Sequence, residues 1–326
     1  MKPSILALPL LCLALGAHAQ STEAEFNALL KQRQFDAVET LARQRLQANP
    51  QDDLALWAWG RTVAGDPAKR AEVLPRAEAC VAARPQSARC QHLLGSLYGA
   101  MATSGGMTQA MKLAGKIKDH LSEAVALDPK HFAMRVDLQQ FYLQAPGIAG
   151  GSVRKARDLA SGYAAIDPAR SRLLMAAVHL YEKELPEAAA QLAAVQPGRD
   201  ADLADDLNNS LTNLGFAQLQ APQLDAGLKT FQRVVTADPQ HAAAHFGQGR
   251  ALLELNRTDE AIAAMERALQ INPKLNAHYR LGIAYQTKGD KAKAVAALKQ
   301  ALTFPLSSKA SDDARQRLAA LGAPGA

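Results

Sequence analysis

Three small groups of residues have types and spacings that could support chemistry. The first is "CVAARPQSARC", which carries Cys80 and Cys90 on either side of Pro85. An even pair in an oxidising compartment would close a disulfide, and an equally simple reading leaves two buried thiols. The second is "GAMATSGGMTQAM", with Met101, Met107 and Met111, followed by His120. Soft thioethers can hold Cu(I), but without a tighter cluster or a cysteine neighbour these methionines read as gap fillers around a turn. The third is "HAAAH", which sets His241 and His245 one helical turn apart. That spacing suits zinc, yet neither the intervening glutamate of a zinc protease nor a third ligand accompanies it, so the pair reads as surface and interhelix packing. No metal site and no cofactor is expected.

A fourth stretch, "APGIAGGS" from Ala145 to Ser152, is rich in glycine. A phosphate loop would need a strand before it and Lys-Ser/Thr after it; here a helical segment precedes it and Val153 follows Ser152. It reads as a shaped turn whose Ser152 caps the next helix. Pro146, Gly147, Ile148, Gly150 and Gly151 are expected to form a ledge there. The chain has no Gly-x-Ser-x-Gly elbow, no His-Glu-x-x-His and no protease-type cysteine signature. The sequence therefore predicts no catalytic residue, and the expectation is a protein that is not an enzyme.

The elements that would carry these residues are helical. Apolar residues make up 48% of the chain and aromatics only 5%, so much of the apolar content is alanine, which suits close helix packing. Helix formers run long, and alternating β patterns are almost absent. At the N-terminus, Lys2 is followed by "ILALPLLCLALGA" and then by Ala17-His18-Ala19. A short apolar run ending in small residues reads as a secretory signal over residues 1–19, cleaved after Ala19. Leu11 stands before Cys12 where a lipidated cysteine would want a small residue. The formal charge is +6 over the whole chain, spread among acids with no basic block, so neither nucleic acid nor an acidic membrane surface is an expected partner. No other stretch is long and apolar enough to span a bilayer.

Helix-stopping prolines divide the chain into repeats. Pro50, Pro85, Pro129, Pro168, Pro197, Pro239, Pro273 and Pro305 each follow an apolar helical pattern, and Pro239 and Pro273 are 34 residues apart. Within "LDAGLKTFQRVVTADP" and "DEAIAAMERALQINP" the apolar positions recur at helical spacing. Thr258 is expected to cap the second of these, with Asp259 and Glu260 favouring the positive end of its dipole. Tyr98, Tyr142 and Tyr181 each lie thirteen residues after a proline, with Val63 and Leu252 in the equivalent place. Small residues fall where two helices approach closely: Gly249 facing Ala261, Gly215 facing Gly227, Gly282 facing Ala294.

"HFGQGRALLELNRTDEAIAAMERALQINP" and "HYRLGIAYQTKGDKAKAVAALKQAL" together resemble the tetratricopeptide repeat, a helix–turn–helix unit of about 34 residues. The resemblance implies an all-α, TPR-like α-solenoid of stacked antiparallel helix pairs with a C-terminal capping helix. Residues 20–206 then form degenerate repeats with loop insertions, 207–305 well-matched repeats, and 306–326 the cap, started by Ser307 or Ser308. Ten extra residues fall between Tyr98 and Ile117, and five between Tyr142 and Ala156; both are expected in the turns along one edge.

In such an array the first helix of each repeat lines a groove. That register places Val136, Gln140, Gln144, Thr212, Phe216, Gln220, Phe246, Arg250, Leu253 and Glu254 in it. Resemblance and export together imply a periplasmic or secreted scaffold that holds a protein or peptide partner in the cell envelope. The alternatives are a metal or small-ligand carrier using the Met- and Gly-rich turns, or an accessory protein that binds cell-wall glycan.

Overall fold

The computed structural model describes residues 23–323; the expected signal segment lies outside them. Every regular element among the described residues is helical. Contacts divide the chain after Leu159 into two compact units.

The first unit begins with α1 (23–31) and α2 (Phe35–Ala48), then α3 (Asp53–Val63) and α4 (Pro67–Ala83). Next come α5 (Ala88–Ser104), α6 (Gly106–Leu127), α7 (Phe132–Gln144) and most of α8 (Val153–Gly162). Consecutive helices pair as hairpins, and each pair stacks on the next through a continuous core running from Phe26 to Leu138. One hairpin could cover only one of its apolar faces, which is why the array is repeated.

Helix starts follow from short polar side chains. Asp52, Asp66 and Ser87 accept from backbone N–H groups of the first turns of α3, α4 and α5, satisfying donors that no carbonyl of the helix can reach. Pro67 fits the first position of α4, where a missing N–H costs nothing. Cys80, in the last turn of α4, is bonded to Cys90 in the first turn of α5, with Cα atoms 5.6 Å apart.

The first insertion is not a loop. Its ten residues lengthen α5 and α6, which run to 17 and 22 residues and meet at a tight turn through Gly105 and Gly106. Gly106 has φ +73°, the one backbone demand of that turn, and alanines and methionines around it are good helix formers, so the helices propagate. The second insertion is a real turn: a 3₁₀ segment at Gly147–Ala149 follows α7. Its chain is tied back by the Ser152 N–H, which donates to the Tyr142 carbonyl at 2.7 Å. Gly150 has φ +99°, and any Cβ at Gly151 would overlap the Ala145 carbonyl. Ser152 then accepts from the Lys155 N–H at 3.3 Å, capping α8.

The second unit holds the end of α8, then α9 (Pro168–Tyr181) with α10 (Leu185–Ala193) and α11 (Ala201–Gln220) with α12 (Leu224–Ala237). It continues with α13 (Ala242–Glu254) and α14 (Thr258–Ile271), then α15 (His278–Lys288) and α16 (Lys291–Ala301), and closes with α17 (Ser308–Ala320). The glycines permit the expected close approaches. A Cβ at Gly249 would sit 3.0 Å from the Ala261 carbonyl oxygen, and one at Gly227 would sit 3.3 Å from that of Gly215. At Gly282 the neighbour is the Leu298 side chain.

Ser307 caps α17 by accepting from the Ala310 N–H, and α17 covers Leu298 with Ala314 and Leu318. Thr258 does not cap α14. It is the first helical residue, preceded by Arg257, whose guanidinium grips Glu260 through two bonds of 2.7 Å. Tyr181 also departs from expectation: it is the last residue of α9 and is 52% exposed.

Candidate functional site

A recess in the first unit lies between α5, α6, α7 and the 3₁₀ turn, with a volume of about 560 Å³. Its α5 wall is made of small residues, Gly95, Ser96, Gly99, Ala100 and Thr103 among them. The α6 wall adds Met107, Ala110 and Met111, and the α7 side adds Asp137, Gln140, Phe141 and Gln144. The lengthened hairpin is what makes the recess, since Met107 and Ala110 belong to the inserted turns of helix. Small residues keep it open: a Cβ added at Gly99 would meet nothing within 4 Å. Met107 is 69% exposed and Ile148, on the turn beside Ala149, is 89% exposed, so the rim offers bare apolar surface.

At one end Asp137 and Ser96 also line a smaller recess of about 190 Å³, together with Trp57, Arg61 and His92. A chain of hydrogen bonds crosses here. The Trp57 Nε1–H donates to His92 Nδ1 at 2.9 Å, so the His92 proton sits on Nε2, which donates to Asp137 Oδ2 at 2.8 Å. Ser96 Oγ donates to the same oxygen at 3.0 Å. Burial works against the Asp137 charge, but the bonds from His92 and Ser96 and the nearby Arg61 hold its pKa below the ordinary carboxylate value. Arg61 lies over the Trp57 ring, 4.7 Å from its centroid.

A serine, a histidine and an aspartate thus stand together, but they are wired differently from a nucleophilic triad. Nucleophile activation needs an imidazole nitrogen free to take the serine proton. Both ring nitrogens of His92 are engaged elsewhere, and Ser96 donates to the carboxylate.

In the second unit the first helices of two hairpins place aromatic rings side by side. Phe216 meets the buried Phe231 edge-on, with centroids 5.1 Å apart, and lies 6.3 Å from Phe246. The Arg250 guanidinium stands 5.7 Å from the Phe216 centroid and 6.0 Å from that of Phe246. Burial and the neighbouring Arg280 lower its pKa.

Two family models, each described as tetratricopeptide repeat, match residues 213–276 and 275–305. Residues 213–305 carry tetratricopeptide repeats. Among solved structures it is similar to yeast Tom70, at 12% identity and a TM-score of 0.62, with 89% of this chain covering 59% of that one. It is also similar to the crystal structure of the APC/C hetero-tetramer Cut9–Hcn1, at 16% identity and a TM-score of 0.52, with 90% of this chain covering 54% of that one. The chain therefore spans between half and two thirds of either structure, and the likeness speaks to the fold. No curated protein matches the sequence significantly. Tetratricopeptide repeats suggest a scaffold for protein–protein interaction. Among the described residues no helix is long and apolar enough to cross a membrane.

Gln140 and Gln144, expected in the groove of this repeat protein, do line the larger recess, as does Pro146 of the expected ledge. Val136 is half-buried on the same helix. Phe216, Phe246, Arg250 and Leu253 are half-buried, and Gln220 and Glu254 are exposed. Thr212 does not belong in a groove: it is buried at 4% exposure, and its hydroxyl donates to the Asn208 carbonyl one turn back, which is what lets it enter the core.

The residues weighed for copper divide between the recess and the core. Met107 and Met111 line the recess, Met101 packs on the core, and His120 Nδ1 is bonded to Gln91 at 2.7 Å. His241 caps α13 by accepting from the Ala244 N–H, and His245 Nε2 donates to the Pro239 carbonyl.

Trp57, Arg61, His92, Ser96 and Asp137 were not singled out by the sequence. Their one signal is register: Trp57, His92 and Asp137 occupy the first helices of three successive repeats. Also unforeseen is the trio of half-buried His179 with exposed Glu182 and Glu184 at the α9–α10 turn, whose ligand atoms all lie within 4.8 Å of one another. There His179 Nδ1 donates to Glu184 at 2.7 Å.

Proposed function

We propose that this tetratricopeptide-repeat protein is a non-catalytic scaffold, exported to the periplasm or beyond, that holds a short segment of an envelope protein in the α5–α7 recess. The observation that carries the reading is the recess itself. About 560 Å³ is room for a few side chains of a partner, and small residues together with exposed methionines wall it. An apolar, pre-formed concavity with few polar groups is what a binding site requires, and methionine surfaces adapt to varied apolar partners. The wiring of His92 and Ser96 supports a role without catalysis, and the N-terminal pattern of residues 1–19 supports export.

The test is crosslinking in the native cell from a photoreactive residue at Met107, repeated at Ile148, read by mass spectrometry. The reading predicts one defined envelope protein captured at both positions and lost when Gly99→Leu fills the recess. Crosslinks that ignore Gly99→Leu, or capture of no protein at either position, would overturn it. Protein recovered from the same cells should begin at Gln20.

A further inference from the structure

Resting on that reading of the recess, we infer that the segment it holds is apolar with one basic side chain, received by Asp137. The larger recess is lined by glycine, alanine, methionine, phenylalanine and other uncharged residues, and Asp137 is the one charged residue among those lining it. Both internal bonds to Asp137, from His92 and from Ser96, fall on Oδ2. Oδ1 is left without a partner among the described residues, and the side chain is 38% exposed. A carboxylate that stays ionised and keeps one oxygen open at the end of an apolar trough is complementary to an ammonium or guanidinium. A carboxylate entering there would meet repulsion instead, and specificity of this kind comes as much from the rejected charge as from the accepted one.

Arg61 does not cancel the effect. It lines only the smaller recess and lies over the Trp57 ring; no ion pair within 4.0 Å joins it to Asp137 among the described residues. Its charge does help keep Asp137 ionised. Gln140, one turn along α7 from Asp137, adds an amide to the same lining, able to accept a remaining donor of a lysine or arginine head. The occupant is therefore a partner segment of apolar residues interrupted by a single lysine or arginine.

Three fluorescein-labelled twelve-residue peptides of leucine, alanine and methionine, differing only in a central lysine, glutamine or glutamate, form the probe. Fluorescence anisotropy with the full chain at pH 7 and low salt should rank lysine about tenfold tighter than glutamine, with glutamate weakest. In Asp137→Asn, which keeps an oxygen to accept from His92 and Ser96, the ranking should collapse while apolar affinity remains. In Gly99→Leu all three peptides should lose binding, with the circular dichroism spectrum unchanged. Equal binding of the three peptides, or a lysine preference that survives Asp137→Asn, would overturn the inference while leaving the scaffold reading to the crosslinking test. Binding of none of the peptides would also overturn it.

Discussion

Replacing Gly247 by alanine and replacing Gly99 by alanine should move stability in opposite directions. Both glycines lie inside helices, and alanine in place of glycine there gains about 1 kcal/mol from the backbone alone. At Gly99 nothing stands within 4 Å of the new Cβ, so the gain should appear nearly whole. At Gly247 the new methyl group would overlap the ring of Phe231. That ring is fully buried, and it is pinned from the other side: a Cβ at Gly215 would lie only 2.7 Å from it.

With α11 and α13 both backed onto Phe231 through glycine, the ring cannot step aside, and overpacking should cost close to the upper limit of about 3 kcal/mol. The net expectation is a loss of about 2 kcal/mol at Gly247 against a gain of about 1 at Gly99. Phe231→Leu makes room, so Gly247→Ala combined with Phe231→Leu should recover about 1 kcal/mol or more relative to the sum of the single changes. Hydrogen exchange read by mass spectrometry on peptides of α5 and α13 is the suitable assay, because the two units need not unfold together. A neutral or stabilising Gly247→Ala, or a coupling energy near zero, would refute the packing argument.

Two further outcomes follow from geometry and charge. Cys80 and Cys90 close a loop with a sequence separation of 10, so Cys80→Ser with Cys90→Ser should lower the stability of the first unit by about 3 kcal/mol, measured by urea unfolding without reductant; a loss below about 1 kcal/mol would count against a formed bridge. Burial lowers the pKa of His120, His131, His241 and His278, so the unfolded chain binds protons more readily than the folded one below about pH 6.5. Stability should therefore be fully present above that pH and fall as pH drops below it. His120→Gln, which can still bond Gln91, should flatten the slope between pH 6.5 and 5; an unchanged slope would refute the assignment.

The architecture was legible because its signals are local and repeated. Pro239 and Pro273 each end a helix one turn past an apolar face, and Gly249 and Gly227 each admit a neighbouring backbone. The site was legible only in part. Gln140 and Gln144 fall on the recess because helical register follows from counting residues. The ten-residue insertion read as a loop because the spacing between markers reveals extra chain but not its conformation. Here alanine and methionine carry two helices onward to a glycine turn. Asp137, His92 and Ser96 belong to no motif, and each alone is an ordinary polar residue on a helix. What joins them is contact between repeats 35 and 45 residues apart, which no local pattern encodes. Thr212 shows the reverse error, since a side chain that bonds its own helix can be buried at a position where register alone promises exposure.

The hydrogen-bonded line from Trp57 through His92 to Asp137 ties α3, α5 and α7 together across three successive repeats. Stacked hairpins otherwise touch only their nearest neighbours, and such arrays fray or flex one joint at a time. A polar cable strung through three joints makes them give way as one. Any visitor that pulls on the free oxygen at its end is felt two hairpins away, at an indole ring that could report the event by its fluorescence.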